Sequence, residues 1–475
     1  MSNASRLKLL DCPSMSKWTQ TTIGQVLLSD GGSIKTGPFG TTLKAAEYSD
    51  TGVPLISVRE IGYGHFRVDE KTPRIGKQIL NRLPEYVLEK GDIVFGRKGA
   101  VDRAALVTDA QIGWFLGSDG IRLRLPRTCD PSFVRYWIST PLIRVWLHQH
   151  STGSTMPSLN QNTIARIPLN LPSLSEQHAI SSHLSSLDDK IELNRRMNET
   201  LEAMAQAVFR DWFVDFGPTR RKLEGATDPL TIMGGLVQDT ERAQALADLF
   251  PAALGDDGLP EGWRETSLGA VAKATGGIVQ TGPFGSQLHQ SDYLSAGLPV
   301  VMPANLTYSG FRHGDFSYVS LETTERLSKH RLKTGDIVYG RRGDIGRKAL
   351  IGKYNEGWLC GTGCLKISFP AKPIPAEYLF YSLDHQNTLD WIRARAIGAT
   401  MPNLNTSTLA EMPLLYPSDA LLAVFEQMVK PMLTLREEND QQNGTLAATR
   451  DLLLPKLMSG EIRLPEAEDL MEAAP

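Results

Sequence analysis

The stretch GDIVFGRKG, residues 91–99, recurs as GDIVYGRRG at residues 335–343. In both copies glycines enclose a short apolar run, and two adjacent cations stand in the turn that follows it. Such a run is typical of a strand that ends in a tight turn. Because the element is written twice, we expect the function of the chain to require two copies of it.

Three further segments repeat with a displacement of 245 residues, against 244 for the first pair. They are KTGPFG (35–40) with QTGPFG (280–285), GVPLISVREI (52–61) with GLPVVMPANL (297–306), and GSTMPSLN (153–160) with GATMPNLN (398–405). This displacement is far longer than the period of a solenoid repeat. The sequence therefore predicts a tandem duplication in which each copy is a whole domain.

Each copy is predicted to be an α+β domain. Short β-branched stretches with glycine nearby predict strands, and proline-opened stretches rich in aromatic and aliphatic residues predict helices. The predicted strands cover residues 53–58, 91–95 and 120–125 with their counterparts 298–302, 335–339 and 363–369, and the predicted helices cover 131–148 and 375–395.

A helical periodicity follows each α+β part. Apolar side chains recur every three or four positions at Ile180, Leu184 and Leu187, and again from Val424. Polar residues occupy the middle of both stretches, namely Asn194 and Asn198 in the first and Asn439 and Gln442 in the second. The pattern predicts two long helices, the first about 55 Å long, that pair along their apolar stripes. The alternative, packing of each helix onto its own domain, would leave the polar centre poorly satisfied.

The composition is that of a globular protein. The 475 residues are 41% hydrophobic and 22% charged, and the chain is too long for one hydrophobic core. The sequence contains no apolar run of about 18 residues, and its first residues lack the apolar stretch of a secretory signal. We therefore expect a cytoplasmic protein without a membrane span.

The net charge of -3 hides an uneven distribution. Residues 217–262 hold four cations and eight anions, and residues 461–475 hold one cation and five anions, so the rest of the chain carries a net +5. Basic patches on the repeated domains are consistent with an anionic partner such as DNA.

The chain divides into six segments on these grounds. Residues 1–172 and 263–417 are the α+β domains, 173–216 and 418–464 are the helical regions, 217–262 is an acidic linker, and 465–475 is an acidic tail.

Motifs of catalytic sites are missing from the sequence. There is no GxxxxGK[ST], HExxH or GxSxG motif, and none of the nine histidines recurs at a matching position. Cys12, Cys129, Cys360 and Cys364 fit neither a disulfide framework nor a zinc site, and we interpret them as core or strand residues. Asp92 and Asp336 do repeat, but their position before an apolar strand favours a turn residue.

Turns, cations and small polar residues do repeat. Cations and backbone N–H groups suit phosphates, while Arg, Asn and Gln suit base edges. The candidate DNA-binding residues are Lys35, Thr36, Phe39, Arg59, Arg97, Lys98, Arg103, Ser154 and Thr155 in the first copy, and Gln280, Thr281, Phe284, Asn305, Arg341, Arg342, Arg347, Lys348 and Thr400 in the second. Surface salt bridges remain an alternative for the arginines, and a purely structural turn remains one for the TGPFG loops.

Two α+β units, each followed by a long helix and each carrying GDIVFGRKG-like, TGPFG-like and GSTMPSLN-like segments, resemble the specificity subunit of type I restriction-modification systems. The resemblance extends from about Trp18 to Leu464. It implies that each unit is a target recognition domain that reads one half of a split, asymmetric DNA sequence. It also implies that the helices pair as an antiparallel coiled coil, which spaces the two domains.

The same resemblance implies partners and a division of labour. Two methyltransferase subunits and restriction/translocase subunits would assemble on this chain, and S-adenosylmethionine, ATP and magnesium would bind to those subunits. The chain itself is then expected to be non-catalytic and to hold no cofactor. Two other functions stay open from the residues alone, a stand-alone metal-dependent DNA endonuclease built around Asp92 and Asp336, and a protein scaffold without a DNA role.

Overall fold

A computed structural model describes residues 18–153, 155–312, 314, 316–343, 345–369, 374–396 and 403–467. The chain forms two compact units. Unit 1 comprises Met1–Leu193 together with Gln442–Pro475, and unit 2 comprises Asn194–Gln441. Unit 1 is therefore assembled from two separate stretches of the chain, whereas unit 2 is one continuous stretch.

Unit 1 combines short strands with helices. Its strands are β1 (Thr19–Thr22), β2 (Ser33–Thr36), β3 (Val53–Ile56), β4 (Arg74–Ile75), β5 (Ile93–Gly96), β6 (Ala104–Leu106), β7 (Phe115–Leu116), β8 (Gly120–Arg124) and β9 (Pro168–Leu171). Its helices are α1 (Ile23–Asp30), α2 (Lys77–Arg82), α3 (Pro131–Ser139), α4 (Pro141–His150), α5 (Gln161–Ala165) and the first half of α6 (Leu174–Phe213), with 3₁₀ turns at Ala45–Glu47, Pro84–Tyr86 and Asp109–Gln111.

The stretch that repeats lies at the centre of the main sheet of unit 1. This sheet is antiparallel with the order β2-β8-β5-β6, so β5 has a partner on both sides. Ile93 and Phe95 face one hydrophobic cluster and Val94 faces another, and all three are fully buried. Burial on both faces explains why the strand is uninterruptedly apolar. A second sheet has the order β4-β3-β7, and β1 pairs with β9.

Unit 2 repeats this architecture. Its strands are β10 (Arg264–Ser267), β11 (Ile278–Thr281), β12 (Tyr293–Leu294), β13 (Leu298–Val301), β14 (Ser317–Val319), β15 (Ile337–Gly340), β16 (Lys348–Leu350), β17 (Leu359–Cys360), β18 (Cys364–Ser368) and β19 (Pro413–Tyr416). They form the sheets β11-β18-β15-β16, β12-β14-β13-β17 and β10-β19. The first of these has the same order and antiparallel pairing as the main sheet of unit 1, which confirms the duplicated α+β fold.

The helices of unit 2 include three that have no counterpart in unit 1. These three are α7 (Gly217–Leu223), α8 (Pro229–Ile232) and α9 (Thr240–Ala247). The other helices are the second half of α6, α10 (Leu268–Thr275), α11 (Leu321–Arg326), α12 (Ala376–Ser382), α13 (Gln386–Arg395), α14 (Thr406–Ala410) and the first part of α15 (Asp419–Ser459), whose remainder belongs to unit 1, with 3₁₀ turns at Gln290–Asp292, Pro303–Asn305 and Ser328–His330. The segment predicted as an acidic linker thus contains α7, α8 and α9. Trp212, Phe250 and Trp263 join it to the core of unit 2.

One predicted helix in each unit is two helices. The predicted helix 131–148 is broken at Thr140, whose backbone is extended because Pro141 disfavours a helical residue before it. The Thr140 hydroxyl then accepts a hydrogen bond from the backbone N–H of Ile143 and caps α4. The predicted helix 375–395 is likewise interrupted between α12 and α13, at His385, whose backbone is extended.

The two long helices pack together, as predicted. α6 has 40 residues and α15 has 41. In unit 1, Ile180 and Leu184 share a hydrophobic cluster with Leu453 and Leu457. None of the helices in the part of the chain that the structure describes is long and apolar enough to cross a membrane.

The polar centre of the helix pair is visible in unit 2. Asn439 donates a hydrogen bond to the Asn198 side-chain oxygen at 2.8 Å, and Asn198 donates to Asp440 at 2.8 Å. Four residues further along α6, Glu202 forms an ion pair with Arg436, which lies four residues back along α15. The helices of this unit are therefore antiparallel. The second polar position of α15 was predicted wrongly, because Gln442 is exposed and its neighbour Asn443 is buried.

Candidate nucleic-acid interface

Four loops of unit 1 meet at one end of its main sheet. The backbone N–H of Gly37 donates to Gly120 O at 3.0 Å, that of Arg97 donates to Asp119 O at 2.8 Å, and that of Leu159 donates to Arg97 O at 2.8 Å. These bonds join residues 36–40, 96–99, 117–119 and 155–159 into one surface, which we call the four-loop edge of unit 1.

Unit 2 forms an equivalent four-loop edge from residues 281–285, 340–343, 361–363 and 403–404. The backbone N–H of Gly282 donates to Cys364 O at 2.9 Å, Arg341 N–H donates to Gly363 O at 2.9 Å, and Leu404 N–H donates to Arg341 O at 2.9 Å. The same loops are thus joined by the same kind of backbone bonds in both units.

The TGPFG loops require glycine for their position. A Cβ atom on Gly37 would lie 1.8 Å from Gly117 O, and one on Gly282 would lie 2.0 Å from Gly361 O. No other residue fits such a close approach of two backbones. The structural interpretation of the TGPFG loops is therefore correct for these glycines, but it does not account for the next aromatic residue. Phe39 is 56% exposed and Phe284 is 58% exposed.

Cations lie beside the exposed phenylalanine of unit 1. The Arg97 guanidinium lies 5.1 Å from the centre of the Phe39 ring and donates to Ser118 O at 3.2 Å. Lys98 is exposed, and its Nζ is 3.5 Å from an Asp119 carboxylate oxygen. A pair this exposed contributes little stability, so Lys98 can exchange Asp119 for another anion.

The corresponding cations of unit 2 are arranged differently. Arg341 donates from Nε to Leu404 O at 2.9 Å, and burial together with the nearby Arg342 lowers its pKa. Arg342 is exposed. Because Gly363 stands where unit 1 has Asp119, the cations of this edge have no acidic counterpart at that position.

Other predicted residues flank the edges. Lys35 is half-buried, with Nζ 3.7 Å from a Glu85 carboxylate oxygen and 4.6 Å from the centre of the Tyr86 ring. Gln280, at the same position of unit 2, donates to Lys329 O. Thr36 and Thr281 end their strands half-buried, and Thr155 is exposed on the edge of unit 1. Ser154 and Thr400 lie outside the described residues.

Three predicted arginines lie outside the edges. Arg59 forms ion pairs with Glu60 at 2.9 Å and Asp69 at 2.6 Å. The Arg103 guanidinium lies 5.7 Å from the centre of the Tyr63 ring. Arg347 is half-buried, and its carbonyl accepts a backbone bond from Gly340.

Two predicted contact residues are interior residues instead. Lys348 is fully buried, and its ammonium donates to Asp384 at 2.6 Å and to Tyr308 O at 2.7 Å. Asn305 is 6% exposed, and its side-chain oxygen accepts the backbone N–H of Met302 at 2.9 Å. Both side chains are committed to the domain itself, which corrects their assignment as surface contacts.

Two residues of the unit 1 edge were missed by the sequence analysis. Met156 is 58% exposed, and Asp119 lies beside Lys98. A signal for Asp119 was available, because the turn at 117–119 aligns with 361–363 and differs from it in charge.

The duplicated aspartates are turn residues, as interpreted. Asp92 is fully buried, and its carboxylate accepts the backbone N–H of Glu89 at 2.8 Å and bonds from Arg124 at 2.7 and 2.8 Å. Asp336 accepts the backbone N–H of Lys333 at 2.9 Å. Cys129, Cys360 and Cys364 are buried and free, and burial raises the pKa of Cys129 to about 11 and that of Cys360 to about 12. Cys12 lies outside the described residues.

Comparison with known proteins identifies the family of this fold. The HindI type I restriction enzyme specificity subunit of Haemophilus influenzae is 26% identical over 343 residues, which cover 66% of this chain and 72% of that protein. The MjaIX specificity subunit of Methanocaldococcus jannaschii is 23% identical over 449 residues, which cover 92% of this chain and 93% of that protein. Both relatives are named as specificity subunits of type I restriction enzymes.

A solved structure has the same fold. The crystal structure of the type I restriction-modification system S subunit from M. genitalium matches with a TM-score of 0.58 at 16% identity, over 93% of this chain and 96% of that one. The family model described as type I restriction modification DNA specificity domain matches residues 15–203 and 260–420, one match in each copy of the duplication. The chain therefore belongs to the type I restriction modification DNA specificity domain family and carries that domain twice.

Proposed function

We propose that this chain is the non-catalytic DNA-reading subunit of a type I restriction-modification complex, in which each four-loop edge contacts one half of a bipartite, asymmetric duplex target. The observation that carries the proposal is the same edge built twice, each time with an exposed phenylalanine on one loop and an exposed cation, Lys98 or Arg342, on another. Two similar but unequal edges suit a target with two different halves.

The side chains of the edges suit the chemistry of a DNA groove. Lys98 and Arg342 are exposed at matching positions and would contact phosphates, which fix the position of the domain without selecting a sequence. Arg97 and Arg341 lie deeper in each edge, where a free guanidinium N–H pair would reach guanine O6 and N7. Thr155 adds a hydroxyl group to the edge of unit 1.

The chemistry of modification and cleavage would then belong to partners. S-adenosylmethionine, ATP and magnesium would bind to two methyltransferase subunits and to restriction/translocase subunits, and the complex would act in the cytoplasm. The duplicated fold supports two methyltransferase subunits, because two similar surfaces recruit two identical partners. The paired helices α6 and α15 would act as the spacer between the two domains.

A binding assay tests the proposal on matched positions. In complex with the methyltransferase partner, Lys98→Ala is expected to weaken binding to the first half of the target and Arg342→Ala to the second. Loss of one phosphate contact should reduce the steepness of the plot of log K against log salt concentration by about 1. The exposed lysines Lys77 and Lys273 lie outside the edges and serve as alanine controls.

Footprinting of each half-site and duplexes of altered spacing decide whether the proposal holds. Equal loss at both halves in each variant would contradict the assignment of one half to each unit. Duplexes whose halves are moved apart by single base pairs test the spacer, because a fixed helical spacer should select one separation.

A further inference from the structure

The two exposed phenylalanines are held on rigid loops. Gly37 and Gly282 are fixed by close backbone approach, and the prolines that follow them are buried. In unit 2 the Thr362 hydroxyl also donates to Pro283 O at 2.9 Å. Little conformational entropy would be lost when such a loop binds a partner, so a ring in this position is preorganised for contact.

The loops do not need an aromatic ring for their own structure. The carbonyl of Phe39 accepts the backbone N–H groups of Thr42 and Leu43 at 2.8 and 3.0 Å. Phe284 uses its backbone in the same way, accepting from Gln287 N–H at 2.8 Å. These bonds involve only main-chain atoms of the phenylalanine, so any residue could form them. The ring is therefore available for a role outside the domain.

The charge around the rings selects the class of partner. The Arg97 guanidinium lies beside the Phe39 ring, Lys98 follows Arg97 in the same turn, and Arg341 and Arg342 occupy the matching strand end in unit 2. Protein–protein interfaces are enriched in phenylalanine and arginine but depleted of lysine. A partner that offers both anionic groups and flat apolar faces within a few ångströms is a nucleic acid, whose bases stack on aromatic side chains.

We propose that Phe39 and Phe284 are wedges that insert between adjacent base pairs, one in each half of the target, while the neighbouring cations hold the flanking phosphates. The inference rests on the proposed DNA-reading function and gives that function a mechanism. An inserted apolar side chain partly unstacks the step and kinks the duplex. Pyrimidine–purine steps yield at lowest cost, so each half-site is expected to favour such a step at the position of the wedge.

Base stacking can be read directly with 2-aminopurine, whose fluorescence rises when it is unstacked. The complex with the methyltransferase partner is bound to target duplexes that carry the probe at successive positions in each half. We expect a several-fold increase at one step per half. Phe39→Ala should abolish the increase in one half and Phe284→Ala in the other, while Phe39→Leu and Phe284→Leu should retain most of it.

Exposed leucines outside the edges provide the matched controls. Leu28 is 88% exposed in unit 1 and Leu294 is 48% exposed in unit 2, and alanine at either position should leave the fluorescence unchanged. Normal binding by the wild-type complex without a fluorescence increase at any step would overturn the wedge while the DNA-reading function stands. Failure of the wild-type complex to bind DNA would overturn both.

A third result would reassign the rings. If the Phe39→Ala and Phe284→Ala complexes unstack DNA normally but lose the methyltransferase subunit on gel filtration, the rings contact protein and the wedge is wrong.

Discussion

Lys348 shows how one residue distinguishes the two copies of the domain. Its ammonium is removed from water and held by Asp384, by Tyr308 O, and by the Phe380 ring, whose centre lies 4.7 Å away. Desolvation lowers the pKa of Lys348, and the Asp384 carboxylate opposes that effect. The pair is structural, since nothing outside the domain reaches a side chain with no exposed surface.

Removal of this cation should destabilise unit 2. Lys348→Met leaves the Asp384 carboxylate without its partner, and loss of one member of a buried pair costs about 3 kcal/mol. Adding Asp384→Asn should recover part of that loss, because the remaining charge is then removed. Urea denaturation of the three variants measures the difference, with Lys333→Met as the exposed control. A double variant as unstable as Lys348→Met alone would contradict the pairing.

The burial of Lys348 and Asn305 was partly readable from the sequence. When the two copies are aligned by their displacements of 244 and 245 residues, Lys348 corresponds to Ala104 and Asn305 corresponds to Glu60. A position that accepts alanine in one copy is a poor candidate for a shared DNA contact. The ion pair itself could not be predicted, because Asp384 is 36 residues away and its approach depends on the break between α12 and α13.

At the scale of elements, Asp188 joins three helices of unit 1. Its carboxylate accepts hydrogen bonds from Arg135 of α3 at 3.0 Å, from the Tyr136 hydroxyl at 2.7 Å and from Arg450 of α15 at 2.8 Å. Burial raises the pKa of this group, but the two arginines and the hydroxyl outweigh burial and leave the pKa below its usual value. One carboxylate thus holds the recognition domain to both long helices.

Asp188→Asn should therefore lower the stability of unit 1 at neutral pH. Hydrogen bonds to charged groups contribute about 2 kcal/mol to the free energy of unfolding. Because the pKa of Asp188 is lower in the folded state, this contribution is complete above the unfolded pKa of about 3.9. The contribution is lost as the pH falls through the folded pKa, so the two proteins should converge in stability at acid pH. Thermal unfolding from pH 7 to pH 3 checks this, with the exposed neighbour Asp189→Asn as the control. A difference that persists unchanged at pH 3 would argue against the ionic origin.

Elements differ in how far they can be predicted. The long helices follow from their periodicity, and β5 and β15 follow from glycine-bounded apolar runs that start within two residues of the predicted positions. The break at Thr140 was signalled by Pro141 and was missed because the aromatic pattern continues across it. The pairing of β1 with β9 had no sequence signal, since it joins strands about 150 residues apart.

At the scale of the whole molecule, the two units differ in continuity. The core of unit 2 lies within Asn194–Gln441, whereas the core of unit 1 needs Leu453, Leu457 and Met458 from the far end of the chain. The four-loop edges could be assembled only from the structure, because each combines segments about 120 residues apart that the backbone bonds bring together.

Fragments should reflect this difference. A fragment of residues 194–441 is expected to unfold cooperatively on its own. A fragment of residues 18–193 should lack a cooperative transition until a peptide of residues 442–467 is added, because the peptide supplies the missing side of its core. Circular dichroism on thermal unfolding measures both. Cooperative unfolding of 18–193 alone would show that the core of unit 1 folds without the C-terminal segment.

The discontinuity of unit 1 also sets the order in which the molecule can be completed on the ribosome. Between Leu193 and Gln442 the ribosome must add about 250 residues, which takes roughly 12 to 50 s at 5 to 20 residues per second. During that time unit 2 can finish folding, while the apolar face of Ile180 and Leu184 waits for its partners. The domain that is synthesised first is the last to be closed, so the nascent chain exposes a hydrophobic surface that chaperones would recognise for most of its synthesis.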